Sequence, residues 1–175
     1  MKPRYVVDTN VLIAASAVDA NSPLAGEATP SDPELRQKVW SWLDTFRTSN
    51  SHMVLDGEGG IEKEYKHKVG FNDFGRQVVI HKYSTCAVDL VEVLYDANGD
   101  GVLDEPLQTV VHDRADRKMV AAALDALNSL GGCAIAFAGE SDWHGWEHYL
   151  MTAGLELEPI IPEWSRAKYQ EKYGS

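Results

Sequence analysis

The order of segments along the chain predicts an α/β protein with three layers, in which a central, mostly parallel sheet lies between helices. Short segments rich in β-branched residues alternate with amphipathic helical segments, a pattern that is typical of parallel sheets. Cys133–Ala138 is apolar at every position, as expected for a strand that is buried on both faces. Since 175 residues fall in the usual range of one compact domain, we expect a single domain over residues 1–175.

The first half of the chain begins with the strand-like run Arg4–Asp8, and Thr9 and Asn10 lead from it into a short apolar helix. A capping box with proline in the first turn, Ser31 to Glu34, starts a long amphipathic helix. Three further elements follow in order: a strand at His52–Asp56, a helix at Ile61–Val69 and a helix from Phe74 to Tyr83.

The second half supplies the remaining strands and two helices. We predict a strand from Val88 to Leu94, and a helix capped by Asp113 and stopped by Gly131 and Gly132. After the buried strand at Cys133–Ala138, a tryptophan-rich helix and a last strand near Leu155–Ile161 complete the pattern.

The segment from Asp19 to Pro30 has no hydrophobic period and is rich in Ala, Ser, Pro, Gly and Asn. This composition is typical of a mobile loop. It is interpreted either as a lid or as a simple insertion.

The composition limits the classes of function. No apolar run is long enough to cross a bilayer, and the amino terminus lacks an apolar leader, so a cytoplasmic protein without membrane contact is expected. Cys86 and Cys133 form no CxxC pair, and we expect both to be reduced and buried. The net charge of −11 disfavours loose attraction to nucleic acid, so any role on nucleic acid requires local chemistry.

Acidic residues follow two of the predicted strands. Asp8 ends the first strand, and Glu140 and Asp142 come after the buried strand at Cys133–Ala138. Ligands of open α/β sheets collect outside the carboxyl ends of the strands, so these acids are expected at one edge of the sheet.

Two acids on helices are expected to join them. Asp116 lies one turn before Val120, on the apolar stripe at the amino-terminal tip of its helix. Glu64 shares a face with Ile61, whereas Glu62 is rotated by about 100° from it in an ideal helix. Glu64 is therefore predicted to point inward.

Clustered carboxylates repel one another, and a divalent cation would relieve that repulsion. Mg²⁺ and Mn²⁺ prefer oxygen ligands, and Mg²⁺ typically bridges protein carboxylates and a substrate phosphate. Such a site would allow an acidic protein to bind a phosphodiester and to activate water for attack on phosphorus.

Four segments together resemble the ordered signatures of PIN-domain nucleases. These are Val6–Leu12, Glu64–Tyr65, Asp113–Lys118 and Ser141–Trp143, and the resemblance covers the chain from residue 4 to about residue 162. Asp-Thr-Asn at positions 8–10 and Ala-Asp-Arg-Lys at positions 115–118 are its most specific parts. The resemblance implies a PIN-like fold and cleavage of RNA with Mg²⁺ or Mn²⁺. Many members of that family are toxins of bacterial toxin-antitoxin pairs, which implies a cognate antitoxin as a partner and leaves a homodimer open.

Carried over by motif, the resemblance implies that Asp8, Glu64, Asp116 and Asp142 are the catalytic and metal-binding acids, supported by Thr9 and Asn10. Glu140 is an alternative to Asp142 as the fourth acid. The chain is longer than most compact toxin members, with its excess in the Asp19–Pro30 and Asp96–Leu107 regions. Two other classes stay open: a non-catalytic interaction or calcium-binding protein with the same fold, and a DNA-directed nuclease.

The stretch from Asp96 to Glu105 begins like a helix-loop-helix calcium loop. Its candidate Ca²⁺ ligands are Asp96, Asn98, Asp100 and Asp104, with Gly101 at the sixth place. The twelfth place, however, is Leu107 where a bidentate glutamate belongs, and Pro106 opposes a standard exiting helix. The alternative is an acidic turn between two elements, stabilised by its own side chains.

Overall fold

The computed structural model describes residues 1–174 and contains a five-stranded, entirely parallel sheet with the strand order β3-β2-β1-β4-β5. This confirms the predicted α/β class and the three-layer arrangement. The strands are β1 Arg4–Val7, β2 His52–Asp56, β3 Val88–Val91, β4 Ala134–Phe137 and β5 Glu156–Pro159. The helices are α1 Thr9–Ser16, α2 Pro33–Thr48, α3 Gly60–Lys68, α4 Phe74–Ser84, α5 Leu107–Val110, α6 Arg114–Leu130, α7 Trp143–Thr152 and α8 Pro162–Tyr173.

The chain order of the strands explains why helices cover both faces. From β1 to β3 the chain moves toward one edge of the sheet, and then it crosses back to place β4 on the other side of β1. Because crossovers between parallel strands are right-handed, this reversal puts the connecting helices on opposite faces. Accordingly α1, α2 and α4 pack on one another, while α6 packs across β1, β2, β3 and β4.

The core is centred on β1 and β4. Tyr5, Val6 and Val7 of β1 are fully buried, and all four residues of β4 are buried as the sequence predicted. Burying each large apolar side chain stabilises the fold by roughly 1.5–3 kcal/mol, so β1 and β4, like the buried neighbour β2, are firmly held in the sheet. Acids that follow β1 and β4 therefore start from a rigid base.

Helix α6 begins and ends as its sequence predicts. The Asp113 carboxylate accepts a hydrogen bond from the amide of Ala115 at 2.9 Å, and Gly131 ends the helix with a left-handed φ of 82°. The apolar stripe, including Met119 and Val120, is buried against the sheet. The first turn, which carries Asp116, is thereby placed at the carboxyl edge of the strands.

The segment from Asp19 to Pro30, predicted to be a mobile loop, is instead fastened to the fold by one buried side chain. Arg36 of α2 donates hydrogen bonds to the carbonyls of Pro30 at 2.6 Å, Ala28 at 2.6 Å and Ala25 at 2.9 Å. Pro23–Gly26 forms a single 3-10 turn, capped by Ser22. The guanidinium thus satisfies carbonyls that have no regular secondary structure to bond with.

Three further expectations differ from the structure. Helix α8 was not predicted, because its only buried residue is Ser165 and it has no continuous apolar stripe. Strand β3 ends at Val91 instead of Leu94. Cys86, expected to be buried, is exposed just after α4, whereas Cys133 is buried as expected.

Within residues 1–174, no helix combines the length and the apolar character that a membrane crossing would need.

Candidate functional site

Asp8 lies where β1 passes into α1, at the carboxyl edge of the sheet. Its amide donates to the carbonyl of Ala136 at 2.9 Å, which ties the residue to the end of β4. One carboxylate oxygen, Oδ1, accepts the backbone amide of Asn10 at 3.0 Å, and Oδ2 accepts the indole N–H of Trp143 at 3.0 Å. Asp8 is only 2% exposed, so its charge depends on these donors and on its acidic neighbours.

Glu64 is brought to Asp8 by the way α3 is anchored. The Asp56 carboxylate, at the end of β2, accepts the amides of Gly60 and Ile61, each at 2.7 Å, and so fixes the start of α3. One turn after Ile61, the Glu64 carboxylate accepts a hydrogen bond from the hydroxyl of Thr9. The predicted inward orientation of Glu64 agrees with these contacts, whereas Glu62 has different partners, Lys66 at 2.7 Å and Arg76 of α4 at 3.5 Å.

Asp116 completes a group of neighbouring carboxyls at this edge. Burial raises the pKa of Asp116 to about 9, with further increases from the charges of Asp8, Asp113, Glu140 and Glu64. Burial likewise raises the pKa of Asp8 to about 7, and Glu140 and Glu64 add to it, although the Asn10 amide and the Trp143 indole act in the opposite direction. Asp8, Glu64, Asp116 and Glu140 therefore lie close enough to influence one another's ionisation.

Glu140 and Asp142 have different surroundings. Glu140 accepts the amides of Ser141 at 2.8 Å and Asp142 at 3.1 Å through a single oxygen, Oε1, and its charge acts on both Asp8 and Asp116. Asp142 is instead held by the carboxyl-terminal helix α8. Its two oxygens accept Lys172 Nζ at 2.8 and 3.1 Å, and Tyr173 donates to it at 3.1 Å. The geometry thus favours Glu140 as the fourth member of the group.

The group of Asp8, Glu64, Asp116 and Glu140, called the acidic cluster below, is not preassembled as a set of metal ligands. In the part of the chain from residue 1 to residue 174, no three His, Cys, Asp or Glu side chains are arranged to hold a metal ion as they stand. Protein donors occupy part of the cluster, because Lys118 Nζ lies 2.5 Å from Glu64 Oε2 and Trp143 bonds Asp8. The donor chemistry nevertheless suits a hard cation, since Asp8 and Asp116, whose pKa values are raised by burial and by like charge, form no ion pair among residues 1–174.

The candidate calcium loop has the hydrogen bonds of an acidic turn. Asp96 Oδ1 accepts the amides of Asn98 at 2.8 Å and Asp100 at 3.0 Å, and an isolated bridge joins Tyr95 to Gly101. Asp100 Oδ2 lies 3.2 Å from Arg114 Nε, and Asp104 is exposed. The loop packs on the start of α6, because a Cβ at Gly101 would approach the backbone of Lys118 to 2.6 Å. These contacts agree with the alternative interpretation, a turn stabilised by its own side chains.

Two residues of the site were given no role from the sequence, although both lie in segments that carry the motif resemblance. Trp143 resembles an ordinary core aromatic, yet its indole N–H is the direct partner of the buried Asp8. Lys118 resembles the other basic residues near the acids, which could contact a nucleic-acid backbone, yet it forms the ion pair with Glu64. The Ala-Asp-Arg-Lys motif at positions 115–118 is the sequence feature that could have indicated the role of Lys118.

Comparisons with protein-family models, with curated proteins and with solved structures found no match for this chain.

Proposed function

We propose that the protein is a metal-dependent endoribonuclease with a PIN-like fold, which hydrolyses RNA at the acidic cluster. The observation that supports this most directly is the burial of mutually repelling carboxyls at the carboxyl edge of a parallel sheet, where α/β proteins bind their ligands. The motif resemblance at Asp8–Asn10 and Ala115–Lys118 supports the same function. The role as a toxin with a cognate antitoxin, and the cytoplasmic location, are parts of this proposal.

In this proposal Asp8, Glu64, Asp116 and Glu140 hold Mg²⁺ or Mn²⁺. When bound, the cation would supply Lewis acidity and lower the pKa of a coordinated water. Binding of the cation requires the ion pair between Lys118 and Glu64 to break. The Lys118 ammonium is then available for a phosphate of the substrate. This exchange would let an acidic protein attract RNA only at the site itself.

The residues around the acids have positioning roles. Trp143 and the Asn10 amide hold the two oxygens of Asp8 in one orientation, and Thr9 does the same for one oxygen of Glu64. Because these donors are fixed by β1, α1 and α7, the carboxylates present a defined geometry to an incoming cation. One carboxylate that stays free of the cation can accept the proton of the attacking water.

The proposal is tested by incubating the purified protein with single-stranded RNA in the presence of Mn²⁺, of Mg²⁺ and of EDTA. Cleavage should require the metal and should be lost in Asp8→Asn and Asp116→Asn, which keep the side-chain shape but remove the charge. A matched single-stranded DNA distinguishes a ribonuclease from a DNA-directed enzyme. Metal-dependent cleavage that persists in both variants would contradict the proposal.

One observation favours a second candidate, a non-catalytic interaction protein with the same fold. The ammonium of Lys118 already provides Glu64 with the positive partner that a cation would supply. In that case Lys118→Met should lower the stability of the protein, and no cleavage should appear with any divalent cation. In a nuclease, the same substitution should make Mn²⁺ binding as tight or tighter, because it removes the ammonium that competes for Glu64, while it weakens RNA binding.

A further inference from the structure

The outer edge of β3 has unpaired backbone groups. Met53 donates to the carbonyl of Ala87 and Gly57 to that of Val91, both at 2.9 Å, so the alternate residues Ala87, Asp89 and Val91 face β2. Val88 and Leu90 therefore turn their amides and carbonyls away from the sheet, and within residues 1–174 no other group bonds to them. An open edge of this kind can accept an added strand.

Beside this edge lies a surface with an apolar floor. Leu90, Leu94 and Val102 are 61%, 65% and 44% exposed, which is unusual for three apolar side chains so close together. Leu94 lies between two adjoining depressions of about 590 Å³ and about 320 Å³, and it lines both. We call this surface, together with the outer edge of β3, the edge groove.

The rim of the edge groove carries charge of one sign. Its charged residues in the described chain are all acids: Glu58, Glu92, Asp104 and Asp125. The amide of Glu92, which would be the next outward group after Leu90, is already bonded to the Asp125 carboxylate at 3.1 Å. Pairing along the edge is therefore limited to Val88 and Leu90, and further contacts must come from side chains.

We propose that the edge groove binds an extended segment of a partner protein in which apolar residues alternate with Lys or Arg. The segment would pair its backbone with Val88 and Leu90, place its apolar side chains on the floor and direct its basic side chains to the acidic rim. A second copy of this chain fits poorly, because pairing two β3 edges would bring the two acidic rims together. The inference concerns a surface separate from the acidic cluster and does not depend on the nuclease proposal.

The probe is an acetylated and amidated peptide of alternating Lys and Val, whose binding is measured by isothermal titration. We expect binding to the wild-type protein that weakens by about tenfold or more in the double variant Glu92→Lys, Asp104→Lys and in Leu94→Ser. N-methylation of the peptide backbone should weaken it similarly, since it removes strand pairing. All three substituted side chains are exposed, so the variants should fold.

The matched control is Glu163→Lys with Glu171→Lys, which changes the net charge equally but on the exposed side of α8. It should leave peptide affinity within about twofold of wild type. Equal weakening by both double variants would mean attraction by overall charge alone and would overturn the proposal. So would an absence of binding, or a dimer in sedimentation experiments that is lost in Leu94→Ser.

Discussion

At the scale of single residues, the most unusual feature is the ionisation of Asp8 and Asp116. Their pKa values, raised to about 7 and about 9 from an ordinary value of 3.8, mean that the folded protein holds protons that the unfolded chain releases. Between about pH 4 and pH 9 these two carboxyls therefore bind more protons in the folded state than in the unfolded state, and their contribution to stability falls as the pH rises. This is opposite to the behaviour of a carboxylate in a salt bridge.

A first prediction follows for Asp116→Asn in metal-free buffer. Since one pKa unit corresponds to about 1.4 kcal/mol, the variant should gain at least about 1 kcal/mol in free energy of unfolding at pH 8. Urea unfolding at pH 5 and pH 8 in EDTA measures this, and the gain should be clearly smaller at pH 5, which is closer to the ordinary pKa of 3.8. The exposed acid Asp104 provides the control, because Asp104→Asn should change stability little at either pH. A loss of stability in Asp116→Asn at pH 8 would contradict the assignment.

A second prediction for single residues is that Glu140 contributes more to Mn²⁺ binding than Asp142 does. Glu140→Gln should weaken Mn²⁺ binding by about tenfold or more, whereas Asp142→Asn should have a much smaller effect because α8 already holds that carboxylate. Isothermal titration with Mn²⁺ gives both values. The reverse order of the two effects would return the role of fourth acid to Asp142.

A residue of the candidate site could be predicted only where the sequence immediately around it indicated its position. Asp8, Glu64 and Asp116 were predictable because each lies at a strand end or on an apolar helix face. Asp142 was preferred over Glu140 on motif spacing alone, and its partner Lys172 lies 30 residues further along the chain. Trp143 could not be assigned for the same reason, since Asp8 is 135 residues away from it.

At the scale of elements, α1 and α4 approach each other closely at Gly75. A Cβ at this position would come within 2.6–2.8 Å of the backbone and side chain of Leu12. Gly75→Ala should therefore lower the free energy of unfolding by about 1–3 kcal/mol through overpacking. Gly26→Ala is the matched control, because a Cβ at that position would meet no atom within 4 Å. Denaturant unfolding that finds equal effects would refute the close contact.

The segment from Asp19 to Pro30 leads to a prediction about Arg36. Arg36→Met should leave four carbonyls, those of Ala17, Ala25, Ala28 and Pro30, without their charged donor and lower the free energy of unfolding by about 2 kcal/mol. Hydrogen exchange should quicken within residues 17–30. Arg47→Met, on the same helix but in a half-exposed pair with Asp44, should leave exchange in that segment unchanged.

The elements themselves were predictable where hydrophobic period and caps agreed. Strand β2 begins and ends at the predicted residues, and α6 starts after Asp113 and ends before Gly131. Helix α8 was missed because it lies on the surface and buries little of its own length. The order of the segment before α2 was missed because it comes from hydrogen bonds of the Arg36 side chain to backbone carbonyls, which leave no pattern in the residue types of the segment.

At the scale of the whole molecule, the net charge of −11 and the acidic cluster act in the same direction. Under the proposed function, a bound divalent cation would offset this negative charge and stabilise the folded state. At a free Mn²⁺ concentration about 100 times its Kd, binding adds about 2.7 kcal/mol, which for a protein of this size raises the Tm by roughly 5–11 °C. Thermal unfolding should show this rise for the wild type and a much smaller one for Asp8→Asn. An equal rise in both would indicate binding elsewhere.

The close approach of Gly139 to Thr29 has a consequence for protein engineering. A Cβ at position 139 would collide with the carbonyl oxygen of Thr29, so the turn that carries Glu140 rests directly on the segment that Arg36 fastens. A bulky residue at position 139 would push the turn that carries Glu140 away from Thr29. In the proposed nuclease, this displacement of Glu140 would lower the activity although every acidic side chain is retained.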